Sequence, residues 1–195
     1  PQLKAAIAEY KREIRLSNYY KAHYNLGVIY EERGRHQAAM DEYKAAIRLH
    51  PTLADAHNNL GRIYSRRGQY DKAIKEYLRA ARLDRREPLY PINLGIALVK
   101  SGERRRAIRH FRRALRLDPK NVDAMVNLGF VLIDRPGSIS EGIEVLKKAL
   151  RVLPRGPFVL AGLAIGYLRL GKVALAKRLA RRAVRLAPKD AFVTK

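Results

Sequence analysis

The chain has 195 residues, 47% of them hydrophobic, and carries 41 Lys and Arg against 18 Asp and Glu, for a formal charge of +23. The hydrophobic content excludes a disordered polyelectrolyte, and the charge predicts fast, salt-dependent association with acidic partners rather than any particular fold. Without cysteine there are no disulfides, thiolate zinc sites or thiol nucleophiles, and no run approaches the roughly 18 apolar residues that a membrane-spanning helix needs.

Five related segments follow one another: HYNLGVIY from His23, HNNLGRIY from His57, PINLGIAL from Pro91, MVNLGFVL from Met125 and LAGLAIGY from Leu160. The first four begin 34 residues apart and the fifth follows after 35. Apolar residues recur inside them at helical spacing, as at Leu60, Ile63 and Tyr64. Each is trailed by a second apolar-periodic segment, from AAMDEYKAAIRLHP to LAKRLARRAVRLAP. A glycine inside a helix costs about 1 kcal/mol relative to alanine. Its return at Gly27, Gly61, Gly95 and Gly129 therefore predicts a close helix crossing, with Ala46, Ala80, Ala114, Ala149 and Ala183 answering from the second helix. Gly34, Gly68, Gly102 and Gly171 stand where a left-handed cap would separate the two helices.

This pattern resembles the tetratricopeptide repeat over nearly the whole chain. The repeats run 20–53, 54–87, 88–121, 122–156 and 157–190, with residues 1–19 as the second helix of a preceding repeat and 191–195 opening a further one. The parent protein is thus expected to hold more repeats or further domains. Departures are local: Arg85 for the terminal proline, Ala164 for the glycine, Ala180 for the second-helix aromatic, and one inserted residue in RPGSIS at 135–140. The resemblance implies an all-α, right-handed superhelical solenoid with first helices lining the concave side. Each helix pair buries its core only against its neighbours.

Nothing in the chain reads as catalytic, and no cofactor is implied. Of the five histidines, His23 and His57 occupy a packing position of the repeat, and no histidine is expected to meet a carboxylate or second histidine at metal spacing. There is no GxSxG and no phosphate-cradling loop.

In the family, first-helix positions two, five, six, nine, twelve and thirteen line the groove. Position six reads Asn25, Asn59, Asn93 and Asn127, then Gly162. Amides carry both donor and acceptor, so a ladder of them would match the backbone of an extended peptide. It is similar to the asparagine ladder in the repeat domain of O-linked N-acetylglucosamine transferases. The alternative is asparagines that bridge neighbouring helices. Around them the early groove is polar (Tyr24, Asn58, Arg62, with Lys21, Glu31, Asp55 and Arg66), and the later groove apolar: Ile92, Ile96, Val126, Phe130, Phe158 and Ile165. Contiguous exposed apolar surface marks an interaction site, here for a hydrophobic or amphipathic peptide segment. The two-carboxylate clamp of some family members is absent, because no three adjacent repeats supply its lysine, asparagine and arginine set.

The excess charge is uneven. Repeat three carries nine basic residues against two acids and repeat five eight against one. Much of it falls on second helices, at Arg105, Arg109, Arg112, Arg113 and Arg116, then Lys177, Arg178, Arg181, Arg182 and Arg185, predicting a basic convex face. An acidic protein, nucleic acid or an anionic membrane surface would suit it, set against the plain reading of a solvated helix face. The expected function is a non-enzymatic protein–protein scaffold, gripping a peptide in the groove and an acidic partner on the convex face. The alternatives are a polyanion-binding module with a self-associating groove, and the substrate-recognition array of a larger enzyme.

Overall fold

A computed structural model describes residues 2–17 and 19–188. Eleven helices and no strand occur among the described residues: α1 Gln2–Ser17, α2 Tyr20–Glu32, α3 His36–Leu49, α4 Ala54–Arg66, α5 Tyr70–Leu83, α6 Leu89–Lys100, α7 Arg104–Leu117, α8 Val122–Ile133, α9 Ile139–Val152, α10 Pro157–Arg169 and α11 Val173–Leu186. This is the predicted pattern of one leading helix and five pairs. The helix expected from 191 lies outside the described residues. The chain divides into two compact units, residues 1–97 and 98–195. In the first, α2 packs on α3 and α4 on α5, with α1 against α2 and α3 against α4. In the second, α8 packs on α9 and α10 on α11, while α10 also meets α8 and α9.

The short turns have a specific chemistry. Gly34 and Gly68 take φ of 69° and 71°, a conformation in which a Cβ is strained. That reversal lets the next amide reach back: Arg35 N–H donates to Tyr30 C=O at 2.8 Å and Gln69 N–H to Tyr64 C=O at 3.0 Å, covering carbonyls the helix end leaves open. The inserted residue removes this pattern from the fourth turn. There Asp134 N–H donates to Phe130 C=O, Ser138 N–H to Arg135 C=O, and Gly137 supplies the positive φ.

The recurring helical glycines do mark a close approach, but the group they admit is the residue at repeat position twenty-four, not the alanine three places on. A Cβ on Gly27 would lie 2.7 Å from the Tyr43 ring, one on Gly61 2.9 Å from the Tyr77 ring, and one on Gly129 2.6 Å from Leu146. Tyr43, Leu146 and the alanines Ala46, Ala80, Ala114, Ala149 and Ala183 have no solvent exposure. Burying a side chain the size of Leu146 contributes about 1.5–3 kcal/mol, so these plugs help hold their three pairs together.

Candidate functional site

In the first unit the first-helix face is tied up by its own side chains. Glu31, at the end of α2, is buried; Arg62 of α4 meets it with Nε to Oε1 and Nη2 to Oε2, both 2.8 Å. Arg66 Nη1 adds a 3.3 Å contact, and the Tyr43 hydroxyl donates to Oε2 at 3.0 Å. Burial pushes the Glu31 carboxyl up, but hydrogen bonds and charge from Arg62, with Tyr43 and Arg66, outweigh it and leave the group below its ordinary value. Burial and the Glu31 carboxylate hold the Tyr43 phenol well above its ordinary range.

The asparagine positions need correction. Asn58 and Asn59 are buried, at 3% and 7% exposure, and so is Ile92. Position five of one repeat faces position six of the next across the seam between successive first helices. Asn59 Nδ2 donates to the Tyr24 hydroxyl at 3.4 Å, and Asn93 Nδ2 donates to Asn58 Oδ1 at 2.9 Å. Asn59 also reaches the Tyr43 hydroxyl at 3.4 Å. Tyr90 repeats the device, donating to Asp55 Oδ1 at 2.8 Å. In the second unit Asn127 Nδ2 donates at 2.8 Å to the Asp123 carbonyl of its own helix. The donors of Asn59, Asn93 and Asn127 are thus engaged inside the chain, the bridging arrangement rather than an open ladder. Asn25 and Ile96 are half-buried.

The second unit differs. Gly162 stands where the asparagine recurs, and a Cβ there would lie 2.8 Å from Leu146 and 3.1 Å from the Phe130 ring. Phe130 therefore packs on α10 and is half-buried, so it supports the fold as well as lining the face. Beside it Val99, Phe130, Val131, Ile133 and Ile165 floor a cleft of about 240 Å³ whose mouth carries Arg104, Asp134 and Arg169. Arg169 Nη2 contacts Asp134 Oδ1 at 2.6 Å and Nη1 donates to the Ile133 carbonyl at 2.9 Å, while Arg104 lies 4.0 Å from Asp134. Along α10, Phe158, Ile165 and Leu168 are 43%, 37% and 57% exposed. Val126 is half-buried against the core around Met125 and Leu146. Sequence reading missed Asp134 and Arg169 at the mouth; both sit at position thirteen, inside the expected stripe, and that register was the available signal.

On the second helices, Arg105, Arg109, Arg112 and Arg116 of α7 are exposed and Arg113 is half-buried. Lys177, Arg178, Arg181, Arg182 and Arg185 of α11 are all exposed. Arg112 Nη2 meets Glu141 at 2.6 Å. Burial, reinforced by Arg113, Arg106 and Arg109, holds His110 below its ordinary value, so the ring adds no charge to this face at neutral pH. Two histidines do find carboxylates, contrary to expectation: His23 Nδ1 lies 2.7 Å from Glu42 and His57 Nδ1 2.6 Å from Glu76, each nineteen residues on. Among the described residues no three metal-ligating groups cluster.

Four tetratricopeptide repeat models match the chain, at residues 29–66, 52–120, 92–158 and 157–182. No curated protein sequence matches it. Among solved structures, YrrB, described as a TPR protein with an unusual peptide-binding site, is 18% identical with a TM-score of 0.77, over 94% of this chain and 95% of that one. MamA is 23% identical with a TM-score of 0.76, over 88% and 93%. PilF of Pseudomonas aeruginosa is 23% identical with a TM-score of 0.77, over 89% and 79%. At these identities the likeness is one of fold.

Proposed function

Because the chain belongs to the tetratricopeptide repeat family, we propose that it is a non-enzymatic protein–protein scaffold whose second unit receives the apolar side chains of a peptide or amphipathic helix. The observation that carries this reading is the cleft floored by Phe130, Ile133 and Ile165, continued by exposed Phe158 and Leu168 on α10. An exposed apolar row beside a cleft with few, charged groups at its mouth suits an anchor side chain flanked by polar ones. The peptide-binding site of YrrB supports the class of ligand. By contrast, the first unit spends its polar groups on itself, so its share of binding falls to the rim of that face. The basic second helices serve a separate, acidic contact, supported by the exposed arginines of α7 and α11.

A salt titration against an array of synthetic amphipathic peptides tests the proposal. Binding through the apolar cleft survives high salt, and Ile165→Asp abolishes it; binding that disappears with salt and ignores Ile165 would transfer the function to the charged face.

A further inference from the structure

From Val145 to Pro188 the chain holds eleven Lys and Arg and not one Asp or Glu. Within that stretch α9 and α11 leave an open pocket of about 410 Å³, lined by Lys147, Leu150, Arg151, Pro154 and Arg182. Three of its five lining residues are cations, and the other two give it an aliphatic floor. Arg182 Nη2 donates to the Pro154 carbonyl at 2.9 Å, which fixes that guanidinium at the pocket wall. Lys147 holds Glu144 at 2.7 Å, the last acid before the stretch begins, so an incoming anion competes with a single exposed carboxylate. Lys148, Arg155, Arg178 and Arg181 lie exposed nearby in sequence and keep the local field positive.

We infer that this pocket seats consecutive acidic side chains of a partner protein, their carboxylates on Lys147, Arg151 and Arg182 and their methylene stems over Leu150 and Pro154. The inference rests on the acidic-contact reading above and gives it an address that the helix-face arginines alone did not. Guanidinium groups suit carboxylates because the planar fork offers two parallel N–H donors. Nucleic acid is disfavoured because no aromatic ring lines the pocket to stack a base.

The test uses a fluorescein-labelled oligoglutamate peptide and anisotropy at low salt. Two triple variants remove equal charge: Lys147→Gln, Arg151→Gln, Arg182→Gln at the pocket, and Lys75→Gln, Arg79→Gln, Arg82→Gln on α5, three exposed cations outside the proposed contact. The pocket variant is expected to bind about tenfold more weakly or worse, and the α5 variant to stay near the parent. Should the pocket triple melt below the parent, Arg151→Gln alone, at an exposed site, replaces it and is expected to weaken binding measurably. Equal weakening by both triples would mean that net charge alone matters and would overturn the pocket while leaving the acidic-contact reading. A parent that ignores oligoglutamate overturns both. Pocket-dependent binding of single-stranded DNA or phosphatidylserine vesicles, with oligoglutamate ignored, would hand the site to another anion.

Discussion

Arg62 holds the buried Glu31 carboxylate in a two-pronged grip, with Nε on Oε1 and Nη2 on Oε2 at 2.8 Å each, joining the first helices of two successive repeats. The pair is lopsided, because the Glu31 side chain is 5% exposed and that of Arg62 is 42%. Removing the arginine leaves the buried charge with only the Tyr43 hydroxyl and the longer Arg66 contact, whereas removing the acid releases an arginine that water can reach. Arg62→Ala is therefore expected to destabilise the protein by about 1–3 kcal/mol, and more than Glu31→Ala does. Urea denaturation of the parent, both singles and the double variant measures this. A double variant equal to the sum of the singles would show that the two residues do not interact.

The same grip makes stability depend on acid. The folded carboxyl of Glu31 sits below its ordinary value of 4.5, so the folded state binds fewer protons than the unfolded one as pH falls. Its stabilisation is fully present above the ordinary value and is lost as pH drops through the folded one. Melting temperature against pH should fall more steeply below about pH 5 in the parent than in Glu31→Gln. Parallel curves would remove Glu31 from the acid response.

Gly61→Ala tests the plug. Helix propensity favours alanine by about 1 kcal/mol, but the new methyl would stand 2.9 Å from the Tyr77 ring. Overpacking costs about 1–3 kcal/mol, so the net effect is expected to be loss of stability. A melting temperature above the parent's would show that the ring moves aside freely.

Phe130→Asp and Ile165→Asp separate binding from packing. Phe130 rests on α10 at Gly162, so an aspartate there should lower the melting temperature as well as abolish peptide binding. Ile165 is exposed, and its aspartate should remove binding with the melting temperature nearly unchanged. If Phe130→Asp melts with the parent, the ring is not part of the interface between α8 and α10.

The repeat period made the helix pairs and their turns legible, because glycine at a left-handed cap and apolar residues at helical spacing are local signals. The face of the helices was less so. Asn59 and Asn93 were visible as a register, but an amide's partner depends on what the preceding repeat brings within 3–4 Å, and Tyr24 and Asn58 supply it. Ile92 read as groove lining because it falls in the stripe, yet position five turns into the seam. The apolar character of Phe130 and Ile165 was legible and does border a cleft. The mouth residues Arg104, Asp134 and Arg169 come from three helices that only the fold brings together.

The glycine-and-plug contact also explains the fifth repeat, where two departures that look unrelated in sequence fall on the two sides of one joint. There the glycine position holds Ala164 and the plug position holds Ala180, so a methyl gained on one helix coincides with a large side chain lost on the other. In the fourth repeat the aromatic has already shrunk to Leu146 while Gly129 is kept. Volume is exchanged between positions sixteen or so residues apart: a smaller plug can face the glycine, but a methyl in the glycine's place needs a small plug opposite it. The five repeats thus serve as an internal record of coupled substitution: reverting Ala180 to tyrosine would be tolerated only in company with glycine at 164.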